Sequence, residues 1–189
     1  MFADYDLQQN HVALRNGLPT EIRETLLEST RSQWLHHPRI SGKAGFFMSI
    51  HRNLLDGAAQ LKQALEQLLD TPDSEVTDRM KGINLLPFSE QLIGFAHHHH
   101  EIEDHAYFPQ FARLYPQLNR GLALLDGDHK VLDAALEDTQ KAIRNLGIIK
   151  PERDRMAALF KGAEALNSIL DRHIWDEEEV IIPVLLKHG

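Results

Sequence analysis

Two stretches of the chain repeat one phrase: His99-His100-Glu101-Ile102-Glu103 followed by Pro109, and His173-Ile174-Trp175-Asp176-Glu177 followed by Pro183. Each is a histidine, three residues, a glutamate, and a proline six positions further on. On a helix, a spacing of four puts two side chains on one face, a turn apart. Two such helices meeting in a core would bury two imidazoles and two carboxylates together. An apolar interior accepts unpartnered carboxylates only at high cost. Metal ions would remove that cost and hold the deprotonated forms of all four groups.

The helical wheel narrows the choice within the cluster His97 to His100. Around His99 lie Leu92, Phe95, Ala96, Ile102 and Ala106, an apolar face, whereas His98 has Gln91, Gly94, Phe95, Glu101 and His105. The proline spacing shared with the second phrase also favours His99 with Glu103. His100 is intermediate and has Asp104 one turn on, so the registers His100/Asp104 and His97/Glu101 stay open. His173 shares its face with Leu166, Ile169, Leu170, Glu177 and Val180. Two further histidines sit on apolar stripes: His51 with Phe47, Leu54, Leu55 and Ala58, and His129 with Leu122, Leu125, Leu132 and Leu136. One buried histidine is ordinarily a core residue; four of them, two with a carboxylate one turn on, read as a metal site. The expected ligands are His51, His99, Glu103, His129, His173 and Glu177.

Plainer roles are expected elsewhere. Glu101, Asp104, Asp176, Glu178 and Glu179 read as a solvated acidic face. His11, His36, His37 and His188 read as exposed, and Trp34 and Trp175 as packing residues. His105 and Tyr107 are weaker candidates, as hydrogen-bond donors behind the ligands.

Helical periodicity runs almost throughout, without convincing strand alternation. One arm helix is expected from about Thr20 to His37, closed before Pro38. Long helices are expected from about Lys43 to Leu69, from Ser89 to Pro109, from Asn119 to Asn145, and from Pro151 to Lys187. A short helical piece around Ser74 to Lys81 and a connection from Gly82 to Pro87 lie between the first two. The expected fold is all-α, an up-down-up-down four-helix bundle over residues 45–189 with an N-terminal arm over residues 1–44. His51 lies 48 residues before His99 and His129 lies 44 before His173, so the bundle reads as two related halves.

Composition excludes several functions. With no cysteine, thiolate nucleophiles, Cys-ligated zinc and iron–sulfur clusters are ruled out. A formal charge of −8 without a basic stripe argues against nucleic acid. No apolar run approaches the ~20 residues that span a bilayer. The N-terminus does not read as a secretory signal, so the cytoplasm is the expected location.

These residues resemble the hemerythrin-like family, the HHE cation-binding domain: a lone histidine on the first long helix (His51), His-x-x-x-Glu on the second (His99, Glu103), a lone histidine on the third (His129), and His-x-x-x-Glu on the fourth (His173, Glu177). The likeness covers roughly residues 45–187. It implies a four-helix bundle around a non-haem di-iron centre, oxo- or hydroxo-bridged, with both glutamates bridging two iron ions. Oxygen-carrying members place a second histidine one turn after the third-helix ligand, where this chain has Asp133. The remaining four histidines and two glutamates are similar to bacterial members linked to nitric oxide, peroxide and iron handling. Asp133 is then a weak ligand or a hydrogen-bond partner of His129. The cysteine-bearing N-terminal module of the iron–sulfur-repair members is absent.

Three functions are therefore in competition. The leading expectation is a binding or sensing protein for O2 or a related small oxidant such as nitric oxide or peroxide. An oxidase or peroxidase, and an iron store or donor, are the alternatives. Manganese or zinc fit the donor set less well than iron. A homodimer is compatible with the sequence, and no nucleic-acid or membrane partner is expected.

Overall fold

The computed structural model describes residues 4–148 and 153–189. All regular structure among them is helical. Two single turns, α1 (Thr20–Arg23) and α2 (Arg31–Trp34), precede the first long helix, α3 (Lys43–Leu69). Then come α4 (Val76–Gly82), α5 (Leu85–Ile102), a π-helical turn (Glu103–Tyr107), α6 (Phe108–Leu114), a 3₁₀ turn (Pro116–Leu118), α7 (Asn119–Ile148) and α8 (Arg153–His188). The expected start of the last helix at Pro151 lies outside the described residues. Among the described residues, no helix is long and apolar enough to cross a membrane.

Each long helix is positioned by one buried stripe. On α3 the stripe is Phe47, His51, Leu54, Ala58, Leu61, Leu65 and Leu68, spaced by three and four. α3 packs against α5 and α8, and α7 packs against α5 and α8, so the four rods close a ring. The core is layered along them. One end joins Phe47, Phe108, Leu122 and Val184; the middle joins Leu54, Ile93, Leu132 and Leu170; the other end joins Leu65, Leu85, Ile143 and Leu159. The histidines sit between the first two layers.

The helix from α5 differs from expectation in two ways. It begins at Leu85 rather than near Ser89, because Asn84 adopts a left-handed conformation (φ 51°) that turns the chain into the helix. Pro87 then falls in the first turn, where a missing N–H costs nothing. At the far end the helical chain does not stop at Pro109. The chain widens into the π turn, where the Phe108 N–H donates to the Glu103 carbonyl five residues back, and continues as α6.

The expected single arm helix over residues 20–37 is instead two separate turns. Thr25 Oγ1 donates back to the Ile22 carbonyl at 2.7 Å and closes α1. Thr30 restarts the helix, its N–H bonded to Gln33 Oε1 at 2.8 Å. Between them Trp34 Nε1 donates to Ser29 Oγ at 2.8 Å. Leu18, Ile22 and Trp34 are buried in the same cluster as the near end of the bundle.

Candidate metal centre

All six residues expected as ligands arrive at one place, together with a seventh, His100. Donor atoms of His51, His99, Glu103 and Glu177 lie within 4.8 Å of one another, and so do those of His100, His129 and His173. All seven residues are buried, and Glu103 and Glu177 are fully so. The two groups touch through the glutamates. Glu103 Oε1 is 3.1 Å from His99 Nε2 and 3.9 Å from His51 Nε2, while its other oxygen is 3.5 Å from His129 Nε2. Glu177 Oε2 lies 3.4 Å from both His51 Nε2 and His173 Nε2.

His100 could enter because neighbouring helical residues point ~100° apart. α5 is flanked by α3 and α7. His99 therefore turns toward Phe47 and His51 of α3, and His100 toward His129 of α7, on which it stacks at 4.2 Å. The favoured His99/Glu103 pair enters the cluster, and of the registers left open in sequence only His100 joins it; His97 and the exposed Glu101 stay outside. The symmetry expected of two related halves is broken by this extra imidazole.

The inward atoms have no partners. The Nε2 atoms of His51, His99, His100, His129 and His173, and all four carboxylate oxygens of Glu103 and Glu177, are buried without a hydrogen bond. Native interiors leave few such atoms. Nine aimed at one centre fit a metal-binding site and fit no apolar core.

The outward nitrogens of four of the histidines do have partners, and each is a carboxylate. His51 Nδ1 meets Glu178 Oε1 at 3.2 Å, His100 meets Asp133 at 2.8 Å, His129 meets Asp104 at 2.8 Å, and His173 meets Asp128 at 3.2 Å. A carboxylate only accepts, so Nδ1 carries a proton in each, and Nε2 is the nitrogen left facing inward to take a cation. Several expectations are corrected here. Asp133 serves His100, not His129. Asp104 and Glu178 are partners of buried histidines rather than a solvated face, and Asp176 is fully buried against Arg15. Only Glu101 of that group is plainly exposed, with Glu179 half-buried. His105 is exposed and bonds the Glu101 carbonyl, while Tyr107 packs edge-on against Phe47.

Asp128 was not legible in the sequence, nor was Arg15. Asp128 lies one residue before His129, ~100° round the helix from it, and no spacing links it to His173. The one available signal was the Asp126-Gly127-Asp128 segment inside a helix. Gly127 is required there: a Cβ would stand 2.4 Å from the Tyr5 ring, which lies across α7 at that point.

Electrostatics follow from burial and these pairings. Burial pushes His99 down to about 3 and, despite Asp133, His100 down to about 4, so both are neutral. Burial also depresses His173, but the Asp128 and Glu177 carboxylates outweigh it and hold it at about 9. Burial and the neighbouring Glu177 charge raise Glu103 well above the usual carboxylate range. Glu177 goes the other way, because His51 and His173 outweigh its burial. Asp128 stays ionised because Arg15 and His173 overcome its burial. The two carboxyl groups are thus pushed in opposite directions, and a cation between them would favour the charged form of both.

Aromatic and aliphatic side chains close the surroundings. Phe47 stands edge-on to His51 at 5.9 Å, and Phe108 stacks on His129 at 5.5 Å. Such walls exclude water and keep the imidazoles in place.

Comparison with known proteins agrees with this geometry. Residues 44–185 match the family model for the hemerythrin HHE cation binding domain. No curated protein and no solved structure matches at comparable stringency. The matched span covers nearly all of α3 to α8, every residue of the buried histidine–glutamate cluster, and most of the chain, and so the chain belongs to the hemerythrin HHE cation-binding family.

Proposed function

We propose that His51, His99, His100, His129, His173, Glu103 and Glu177 hold two iron ions, and that the protein binds or senses O2 or a related small oxidant there. The observation that carries this reading is the set of nine inward, buried, unpartnered donor atoms. Division into two groups supports two ions rather than one, with Glu103 and Glu177 reaching toward both. An imidazole-rich set with carboxylates suits iron over magnesium or calcium, and the absence of cysteine removes thiolate-based alternatives. Bound there, iron supplies redox chemistry and open coordination positions for a diatomic ligand or peroxide.

The chain's own residues do the rest. Four outer carboxylates fix the imidazole orientations, and Phe47 and Phe108 flank the rings. With Glu103 and Glu177 shared between the pair His51 and His99 and the trio His100, His129 and His173, the half with two imidazoles would keep more room for an added ligand. Phe47 borders that half.

Metal analysis of untagged protein, with optical spectra before and after dithionite and with azide or nitric oxide added, tests the proposal. Two irons per chain and a ferric spectrum altered by these ligands are expected; a colourless zinc protein would overturn it. Reversible stoichiometric binding selects a carrier or sensor. Sustained peroxide consumption with a reductant would instead select an enzyme, and transfer of iron to an apo-protein would select a store.

A further inference from the structure

The segment before α3 lies outside the family match, yet two of its arginines reach the back of the site, one on each side. Arg15, buried, forks onto Asp128: Nη1 donates to Oδ1 at 2.7 Å and Nη2 to Oδ2, while Nε donates to Asp176 Oδ2 at 2.8 Å. Its Nη1 also donates to the Asn10 carbonyl at 2.6 Å. Tyr5 adds a third donor, its hydroxyl 2.7 Å from Asp128 Oδ1. Asp128 in turn accepts from His173. Arg31 donates through Nη1 to Glu178 Oε2 and through Nη2 to the Trp175 carbonyl at 2.7 Å, with its guanidinium over the Trp175 ring. Glu178 accepts from His51 through its other oxygen. The chains Arg15–Asp128–His173 and Arg31–Glu178–His51 therefore end in different donor groups.

We infer that the N-terminal segment is a working part of the metal centre, with Arg15 and Arg31 as positioning residues that each set the affinity of one of the two ion subsites. This rests on the two-ion reading above. A carboxylate can hold an imidazole in one orientation only if it is itself fixed. Each of these carboxylates has one oxygen or face committed to the histidine and the rest gripped by a guanidinium, whose planar fork gives direction as well as charge. Without the arginine, a largely buried carboxylate is left with a deficit of donors and turns toward whatever will supply them. The histidine then loses its fixed orientation, and metal affinity falls by the ~10–100-fold typical of lost outer hydrogen bonds.

Cobalt(II) titration of the metal-free chain, followed by visible absorption and calorimetry, reads the two binding steps separately. Arg31→Gln is expected to weaken one step about 10- to 100-fold and to leave the other within about threefold. Arg15→Gln is expected to weaken the other step. Tyr5→Phe removes one hydroxyl from Asp128, keeps the buried ion pairs, and should lower the same step as Arg15→Gln by a smaller factor. In a His51→Ala background Arg31→Gln should have no further effect, because the imidazole it positions is gone; a merely structural segment would lower both steps alike in either background. Arg31→Lys should recover part of the loss, since one charge still meets one carboxylate, whereas Arg15→Lys should not, since no ammonium reproduces a fork on two aspartates. Unchanged cobalt affinities in Arg31→Gln and Tyr5→Phe, with native helix content by circular dichroism, would overturn the inference. Wild-type protein that takes up fewer than two cobalt ions would overturn the two-ion reading itself.

Discussion

At the scale of single residues, the site consists of atoms with nowhere to go except a metal. His100 is the sharpest case. Its Nδ1 is held by Asp133 and its Nε2 is buried without a partner beside His129 and His173. On the proposed two-iron reading, His100→Ala should reduce iron below two per chain, and Glu103→Ala and Glu177→Ala should do the same, as read by metal analysis of protein purified without a tag. His100→Ala protein with full iron would remove it from the ligand set. For Glu103, metal-free stability should move the other way: deleting a buried carboxyl group whose burial is not offset relieves a desolvation cost of about 1–3 kcal/mol. The Glu103→Ala metal-free protein is thus expected to melt no lower than metal-free wild type, although it binds less iron.

At the scale of elements, two devices place these residues. One is the π turn Glu103–Tyr107, which lets Glu103 face the centre and Asp104 face His129 while Phe108 and Phe111 keep their places in the core. Deleting exposed Ala106 would restore a plain helix and rotate one side of the turn against the other by ~100°. Loss of at least one iron per chain and a lower melting temperature are expected; unchanged iron content would show that the wide turn has no part in the site. The other device is the glycine notch at Gly127. Gly127→Ala would drive a Cβ into the Tyr5 ring. The expected cost is about 1–3 kcal/mol, with earlier cleavage of the N-terminal segment by limited proteolysis.

For the whole molecule, pH and metal should act on one equilibrium. In the metal-free protein His99 and His100 are held near 3 and 4, below the ~6.5 of an unfolded histidine. Between those values the unfolded chain binds more protons. Their contribution to stability is therefore complete above about pH 6.5 and is lost as pH falls through 4 and then 3. His173, held at about 9, has the opposite sign: its contribution is present below about pH 6.5 and is lost as pH rises through 9. Melting of metal-free protein across about pH 4 to 10 should show a maximum near neutrality. A metal-free protein more stable at about pH 5 than at pH 7 would contradict the buried neutral histidines. Added metal should raise the melting temperature, least at acid pH, because its ligands must first shed protons.

The sequence by itself determined the rods, the family resemblance and six of the seven clustered side chains. Helical spacing is a local property, and a stripe such as Phe47, His51, Leu54 and Ala58 or a phrase such as His173-x-x-x-Glu177 can be read without knowing the neighbours. Only the tertiary structure decided what lies behind and between the stripes. His100 sits at the edge of its helix face, and whether it points inward depends on having α7 on that side. Asp128, Asp133 and Glu178 look like surface acids until the histidine each meets is carried in from another helix, and Arg15 acquires its role from aspartates 113 and 161 residues away. Those pairings join positions far apart in the chain, so no periodicity encodes them and only the packing of one element on another brings them into contact.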